Sequence, residues 1–87
     1  MRYKLLQSET ACGVGTGNGS NFGSSTAVRV VNSGTTNRLM SVETSANVLI
    51  GTFTLGGGKT EVIQKSPTDE VFSASAEVLG VGVAING

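Results

Sequence analysis

The chain consists of short strand-like segments separated by turn residues. Five segments have strand character: 26–32, 37–44, 47–55, 59–65 and 77–85. Val and Thr pack well on a pleated surface, while Gly and Asn supply turns, and Gly, Ser, Thr and Asn make up 39 of the 87 residues. We therefore predict an all-β fold, a small β-sandwich with either jelly-roll or immunoglobulin-like topology.

The last predicted strand has the clearest alternation. Its apolar face, predicted to be core, consists of Leu79, Val81, Val83 and Ile85. Its other face consists of Gly80, Gly82 and Ala84. Because glycine weakens strands and often marks a close approach of another backbone, we predict that this small face packs closely against a neighbour, such as another subunit.

Several other strands carry apolar residues on both faces, as at residues 28–31, 48–50 and 62–63. Bulges or imperfect alternation explain such a pattern, and so does a second face that another chain buries. Both explanations stay open at this point.

The N-terminal part of the chain differs from the rest. A strand-like piece at residues 2–8 precedes a Gly-rich stretch at 13–25, so we predict an N-terminal extended arm and linker over residues 1–25 and a sandwich body over 26–87. The arm either belongs to an ordinary long loop or adds as an edge strand to another subunit, for which Tyr3 and Leu5 are interface candidates together with the small face.

The segment 66–72 contains the single proline of the chain. Ser66 before Pro67, with Asp69 three residues after the serine, predicts a capped helical turn at a corner of the sandwich. We expect Val71 and Phe72 to enter the core.

The residue inventory excludes most catalytic chemistry. The chain has no His, one Cys, and six basic against six acidic residues. It therefore cannot supply a Ser-His-Asp or Cys-His nucleophile or a His metal site, and a single domain of this length leaves no second domain to close a cleft. Balanced charge and 5% aromatic residues argue against nucleic-acid binding. We predict a protein that is not an enzyme and needs no cofactor, metal or small-molecule substrate.

Two motifs look chemical but have simpler explanations. The sequence GGGKT at 56–60 lacks the first glycine of a phosphate-binding loop, since Phe53 stands there, and a strand-like segment follows it, so we predict a hairpin turn. Cys12 is predicted to be a small buried or half-buried hydrophobe. The six carboxylates are predicted to be solvated surface charges: Glu9, Glu43, Glu61, Asp69, Glu70 and Glu77.

No targeting signal is predicted. The apolar run after Arg2 and Lys4 is only Leu5-Leu6, and no stretch of about 18 apolar residues occurs. We expect a protein without a membrane partner, synthesised in a cytoplasm.

The order of the sequence segments is similar to that of a known class of proteins. The segments that carry the resemblance are VRVVNSG (28–34), VLIGT (48–52), KTEVIQK (59–65), PTD (67–69) and VLGVGV (78–83). Together they resemble the small all-β virion structural proteins of tailed bacteriophages, particularly marine cyanophages. The resemblance implies a structural protein of the capsid surface or tail, made in the host cytoplasm, and most plausibly a decoration or cement protein bound to the lattice of the major capsid protein. It implies virion proteins as partners, and a homo-oligomer is expected.

Beside the capsid role, a subunit of a cellular assembly unrelated to phage stays open, and so do two further alternatives. One is a tail or neck component. The other is a fibre or spike module that binds host surface glycans, which usually requires exposed aromatic side chains. The aromatic residues are Tyr3, Phe22, Phe53 and Phe72. Of these, Phe53 and Phe72 are predicted to be core.

Overall fold

Two packed β-sheets form the structure, a computed structural model that describes residues 2–86. The strands are β1 (Arg2–Leu5), β2 (Thr10–Ala11), β3 (Gly13–Val14), β4 (Ala27–Asn32), β5 (Arg38–Glu43), β6 (Leu49–Leu55), β7 (Thr60–Gln64), β8 (Glu70–Ser73) and β9 (Val78–Asn86). No helix occurs within residues 2–86. The predicted all-β sandwich is confirmed, and each of the five segments predicted as strands overlaps one strand of the structure.

The two sheets have five and four strands. Sheet A has the order β1-β9-β4-β7, and β2 also pairs with β9; sheet B has the order β3-β8-β5-β6. All pairs are antiparallel except β3 with β8, which is parallel. β9 is therefore paired along both of its edges, whereas β6 is paired along one.

The hydrophobic core lies between the sheets. Its buried members are Cys12, Phe22, Val28, Val30, Met40, Leu55, Val71 and Val78. Val28 and Val30 belong to sheet A, and Met40 and Val71 belong to sheet B. Val28 and Val30 both face the core because residues two apart on a strand point to the same side. Apolar alternation on both sheets thus explains why the two layers pack.

The N-terminal residues are part of both sheets. β1 and β2 pair with β9 of the same chain, β3 pairs with β8, and Cys12 is in the core. Within residues 2–25, the segment predicted as arm and linker therefore packs on its own body instead of extending to another subunit. It satisfies backbone groups along one edge of β9 that would otherwise be an exposed template for pairing.

The loop between β3 and β4 is ordered by contacts with the core. Phe22 has a φ of 51° and is 3% exposed, and the bridge between Ser20 and Val71 ties the loop to β8. The Ser25 hydroxyl donates to the Phe22 carbonyl at 2.5 Å. The Gly-rich stretch that was predicted to be a linker thus places an aromatic side chain between the two sheets.

Two predicted turns differ from the structure. Residues 66–69 form a turn without a helix, in which Asp69 N–H donates to the Ser66 carbonyl at 3.0 Å and its carboxylate accepts from Ser66 N–H at 3.2 Å. β8 follows at once, so strand alternation buries Val71 while Phe72 lies on the opposite face, half-buried and outside the core.

The glycine turn at 56–58 connects the two sheets. Lys59 N–H donates to the Gly56 carbonyl at 2.9 Å, and Gly58 takes a φ of 72° that favours glycine. The turn joins β6 of sheet B to β7 of sheet A, so the predicted turn is present but not as a hairpin between paired strands.

Candidate interaction surface

The outer face of sheet A carries a second apolar cluster. Ala27, Val81 and Val83 are buried there, and Val62 and Ile85 pack against them. Because Val81 pairs with Arg29 and Val83 with Ala27, these side chains lie on the face opposite Val28 and Val30. No described strand covers this face, so sheet A is apolar on both sides although only one side meets sheet B.

Two exposed residues of β1 extend the cluster toward solvent. Tyr3 lies opposite Ile85 and Leu5 lies opposite Val83, with exposures of 38% and 60%. We define the outer patch as the surface of Tyr3, Leu5, Ala27, Val62, Val81, Val83 and Ile85.

A groove of about 710 Å³ crosses one side of the outer patch. Its lining residues are Tyr3, Leu5, Gln7, Ser8, Glu9, Arg29 and Val81. A Glu9 carboxylate oxygen lies 3.3 Å from Arg29 Nη1, so one ion pair stands beside an apolar wall. The Gln7 amide is held by contacts of its own, donating to the Phe22 carbonyl at 2.5 Å and accepting from Gly82 N–H at 3.1 Å.

The predicted interface residues separate into two groups. Tyr3 and Leu5 come together on the outer patch, but Gly80 and Gly82 face the interior of the sandwich, and Ala84 is half-buried on the face opposite Tyr3 and Leu5. A methyl group at Gly80 would lie 2.7 Å from Phe22 Cζ and 3.2 Å from Cys12 Sγ.

The close neighbour of the glycine face is therefore this chain's own loop. At Gly82, an added methyl would lie 2.8 Å from the Phe22 carbonyl oxygen and 3.0 Å from Ser25 Cβ. Conversely, the apolar face of β9 is buried at Val81 and Val83 as predicted, but within the outer patch and not between the sheets.

Exposed apolar residues also collect at one end of β6. Val48, Leu49 and Ile50 are all more than half exposed, and Gly51 has no neighbour within 4 Å of the position of a Cβ. The sequence indicated apolar residues on both faces here, but not that this strand ends a sheet. No sequence signal marks it as an edge strand, because residues 44–58 contain no charged residue and exposed edges are usually charged.

The ionisable groups with shifted pKa values are buried or make hydrogen bonds within the fold. Burial raises the pKa of the Cys12 thiol to about 11, which keeps it protonated and unreactive at neutral pH. Partial burial lowers the pKa of Lys65, whose ammonium donates to the Ser25 carbonyl at 2.7 Å. The hydrogen bond to Glu77, at 2.8 Å, raises the pKa of Arg38.

One carboxylate departs from the prediction of solvated charge. Glu43 is 1% exposed and accepts a hydrogen bond from Gly17 N–H at 3.1 Å, because the loop after β3 passes over it. Within residues 2–86, no three His, Cys, Asp or Glu side chains are grouped as metal ligands are.

The aromatic residues are distributed differently from the prediction. Phe53 is partly buried and packs against the core as expected, but Phe22 is the fully buried aromatic and Phe72 is not in the core. The positive φ that turns Phe22 inward leaves no hydrophobic pattern in the sequence, which is why periodicity missed it.

Comparison of the chain with models of protein families, with curated proteins and with solved structures found no match. The part of the chain that the structure describes has no helix of the length and apolar character needed to span a membrane.

Proposed function

We propose that this protein is a non-enzymatic virion structural protein of a tailed phage, a decoration protein that binds the major capsid protein lattice through the outer patch. The observation that carries the proposal is the exposed apolar rim that Tyr3 and Leu5 form beside the buried cluster on the outer face of sheet A. A two-layer sandwich needs one apolar face per sheet, and a further apolar face with an exposed rim is typical of a protein interface.

The rim of the outer patch supplies the anchors for such an interface. Tyr3 and Leu5 project from an edge strand beside the buried valines of β9. Tyrosine is enriched in interface hot spots because its ring buries a large area while its hydroxyl keeps a polar partner.

The charge of the chain suits a dense array. The numbers of basic and acidic residues are equal, so neighbouring copies on a shell do not repel one another strongly. A protein present in many copies on a lattice also needs only a modest affinity at each contact, provided that copies are linked. A patch of a few apolar residues is sufficient for that role.

The test compares two leucines that lie on different sheets. Leu5 is in the outer patch and Leu39 is on β5 of sheet B, and they are 60% and 49% exposed. We expect Leu5→Lys to lower co-sedimentation with purified capsids at least about tenfold, which corresponds to about 1.4 kcal/mol, and Leu39→Lys to leave it nearly unchanged. Equal binding of both variants and the unmodified chain would overturn the role of the patch.

Point variants are preferable to removal of the N-terminal segment. A deletion of residues 1–12 would remove Cys12 from the core and two strands from sheet A, so a loss of binding would not distinguish an interface from unfolding. Circular dichroism of each lysine variant establishes that the fold is retained.

The groove supports a second candidate function, a fibre or spike module that binds surface glycans. Tyr3 offers an aromatic surface, and Glu9 and Arg29 offer an acceptor and a donor along the same groove. A glycan array separates the two functions: sugar binding that Tyr3→Ala abolishes, without capsid binding, favours the glycan module. Co-sedimentation with tails in place of capsids tests a tail or neck location.

A further inference from the structure

Apart from one bulge near its start, the free edge of β6 lacks the features that protect exposed strands from pairing. Edge strands of natural sheets are usually short, charged, bulged or covered, because their unpaired N–H and C=O groups attract other strands. β6 is seven residues long, ends sheet B, and lies in a stretch without charge from residue 44 to 58. Its single irregularity, a bulge opposite Val42 and Glu43, lies near one end.

The edge strands at the two ends of sheet A are shorter than β6 and carry charged residues. β1 has four residues and includes Lys4, while β7 has five residues, includes Glu61, and is flanked by Lys59 and Lys65. β3, at the other end of sheet B, has only two residues. Among the described edges, β6 is thus the longest, and it carries no charge.

Alternation of the ladder shows which groups of β6 are free. Ala74 N–H donates to the Leu39 carbonyl, so Leu39 and Ser41 use their backbone groups toward β8, while Met40 and Val42 use theirs toward β6. Their partners on β6 are Phe53 and Gly51. Thr52 and Thr54 therefore direct their N–H and C=O groups away from the sheet.

We propose that β6 pairs antiparallel with β6 of a second copy of this chain about a two-fold axis, which joins two copies of sheet B into one eight-stranded sheet. The proposal is independent of the capsid role, since it uses neither the outer patch nor any virion partner.

The chemistry of the edge selects an identical strand as its partner. Backbone donors and acceptors in alternation are satisfied by another strand, and an uncharged strand offers nothing that would attract an acidic or basic peptide. Antiparallel pairing of identical strands places no like charges opposite each other here, and threonines and β-branched residues form favourable cross-strand pairs. A two-fold operation also uses each free edge once, so the assembly closes as a dimer.

The test introduces the same substitution at two sheet edges. Thr54→Pro removes one outward N–H of β6, and proline is tolerated where the N–H of an edge strand faces solvent. The control is Thr60→Pro at the first residue of β7. Thr60 also directs its N–H outward, since the flanking Lys59 carbonyl accepts from Asn32 N–H.

Sedimentation velocity supplies the readout. We expect the unmodified chain and Thr60→Pro to sediment with twice the 8.8 kDa chain mass, and Thr54→Pro to raise the dissociation constant at least about tenfold. A monomeric mass for the unmodified chain up to about 1 mM would overturn the proposal, as would an unchanged dissociation constant for Thr54→Pro.

A second measurement needs no variant. Hydrogen exchange of the Thr52 and Thr54 amides should slow as the concentration of the unmodified chain rises, while exchange at Thr60 stays constant. Concentration-independent exchange at all three amides would contradict pairing at β6. Because capsid binding is read at Leu5 and dimer formation at β6, either proposal can fail without the other.

Discussion

β9 and β6 have similar sequences and opposite environments. Both are apolar strands that contain glycine, VLGVGVAIN and LIGTFTL. β9 is paired along both edges and has buried residues on both faces, whereas β6 has one partner strand and is largely exposed. The comparison shows that glycine has two uses in this chain: Gly82 admits a loop that lies against the strand, while Gly51 faces open space.

The largest expected effect is at the residue that fills the space beside the β9 glycines. Phe22→Ala should lower the free energy of unfolding by about 3–5 kcal/mol. Phe22 is 3% exposed and belongs to the core, so the substitution removes buried apolar area and leaves a cavity between the sheets. Phe53→Ala on β6 should cost less, since Phe53 is only partly buried. Urea denaturation followed by circular dichroism measures both. A larger loss at Phe53 would reverse the ranking of the two strands.

The next effect concerns the glycines themselves. Gly82→Ala should destabilise the fold by about 1–3 kcal/mol, because the new methyl would meet the Phe22 carbonyl oxygen at 2.8 Å, and a backbone atom cannot rotate away. The matched substitution Gly51→Ala should change stability by less than about 0.5 kcal/mol, since nothing lies within 4 Å.

A double-mutant cycle sharpens this comparison at Gly80. A methyl there would meet the Phe22 ring at 2.7 Å and 2.9 Å, so the cost of Gly80→Ala should fall when Phe22 is also changed to alanine. Additive costs would show that Phe22 does not set the size of the residue at position 80.

The smallest effect is a pH dependence of stability that arises from Cys12, which lies beside Gly80 of β9. The pKa of Cys12 rises from 9.0 to about 11 on burial, so the unfolded chain loses the thiol proton first and stability falls as pH rises through this interval. Between pH 8 and pH 10 the loss is on the order of 1 kcal/mol. Urea denaturation at several pH values measures it against Cys12→Ala.

Comparison with Cys12→Ala also cancels the effect of Lys65, which changes stability with pH in the opposite direction. The pKa of Lys65 is lowered in the folded state, so below its ordinary value of 10.5 the unfolded chain binds more protons and stability rises with pH. This contribution is common to both proteins and cancels in the difference. Parallel pH profiles for the two would show that the thiol is not desolvated.

Strand character was predictable where alternation and β-branched residues coincide. The segments of β4, β5, β6, β7 and β9 were all recognisable, because Val, Ile and Thr are stiff at χ1 and suit a pleated surface. β8 was missed, since Ser66, Pro67 and Asp69 match a helix start as well as a turn. The pairs of residues that form β2 and β3 are too short to show any period.

The candidate surface was only partly predictable. Apolar residues on both faces of several strands indicated a second apolar surface, and Tyr3 and Leu5 lie on it. The face of β9 to which it belongs was not predictable, because period two separates the faces of a strand but does not say which one meets the other sheet.

The sequence by itself determined that this chain is a small all-β domain without histidine-based chemistry, since residue types and local periodicity are sufficient for both conclusions. Only the tertiary structure decided that the N-terminal segment pairs with β9, that Phe22 fills the space beside two glycines, and that β6 ends a sheet. The physical reason is that strand pairing and the burial of a given face depend on contacts between residues far apart in the chain, which no local pattern encodes.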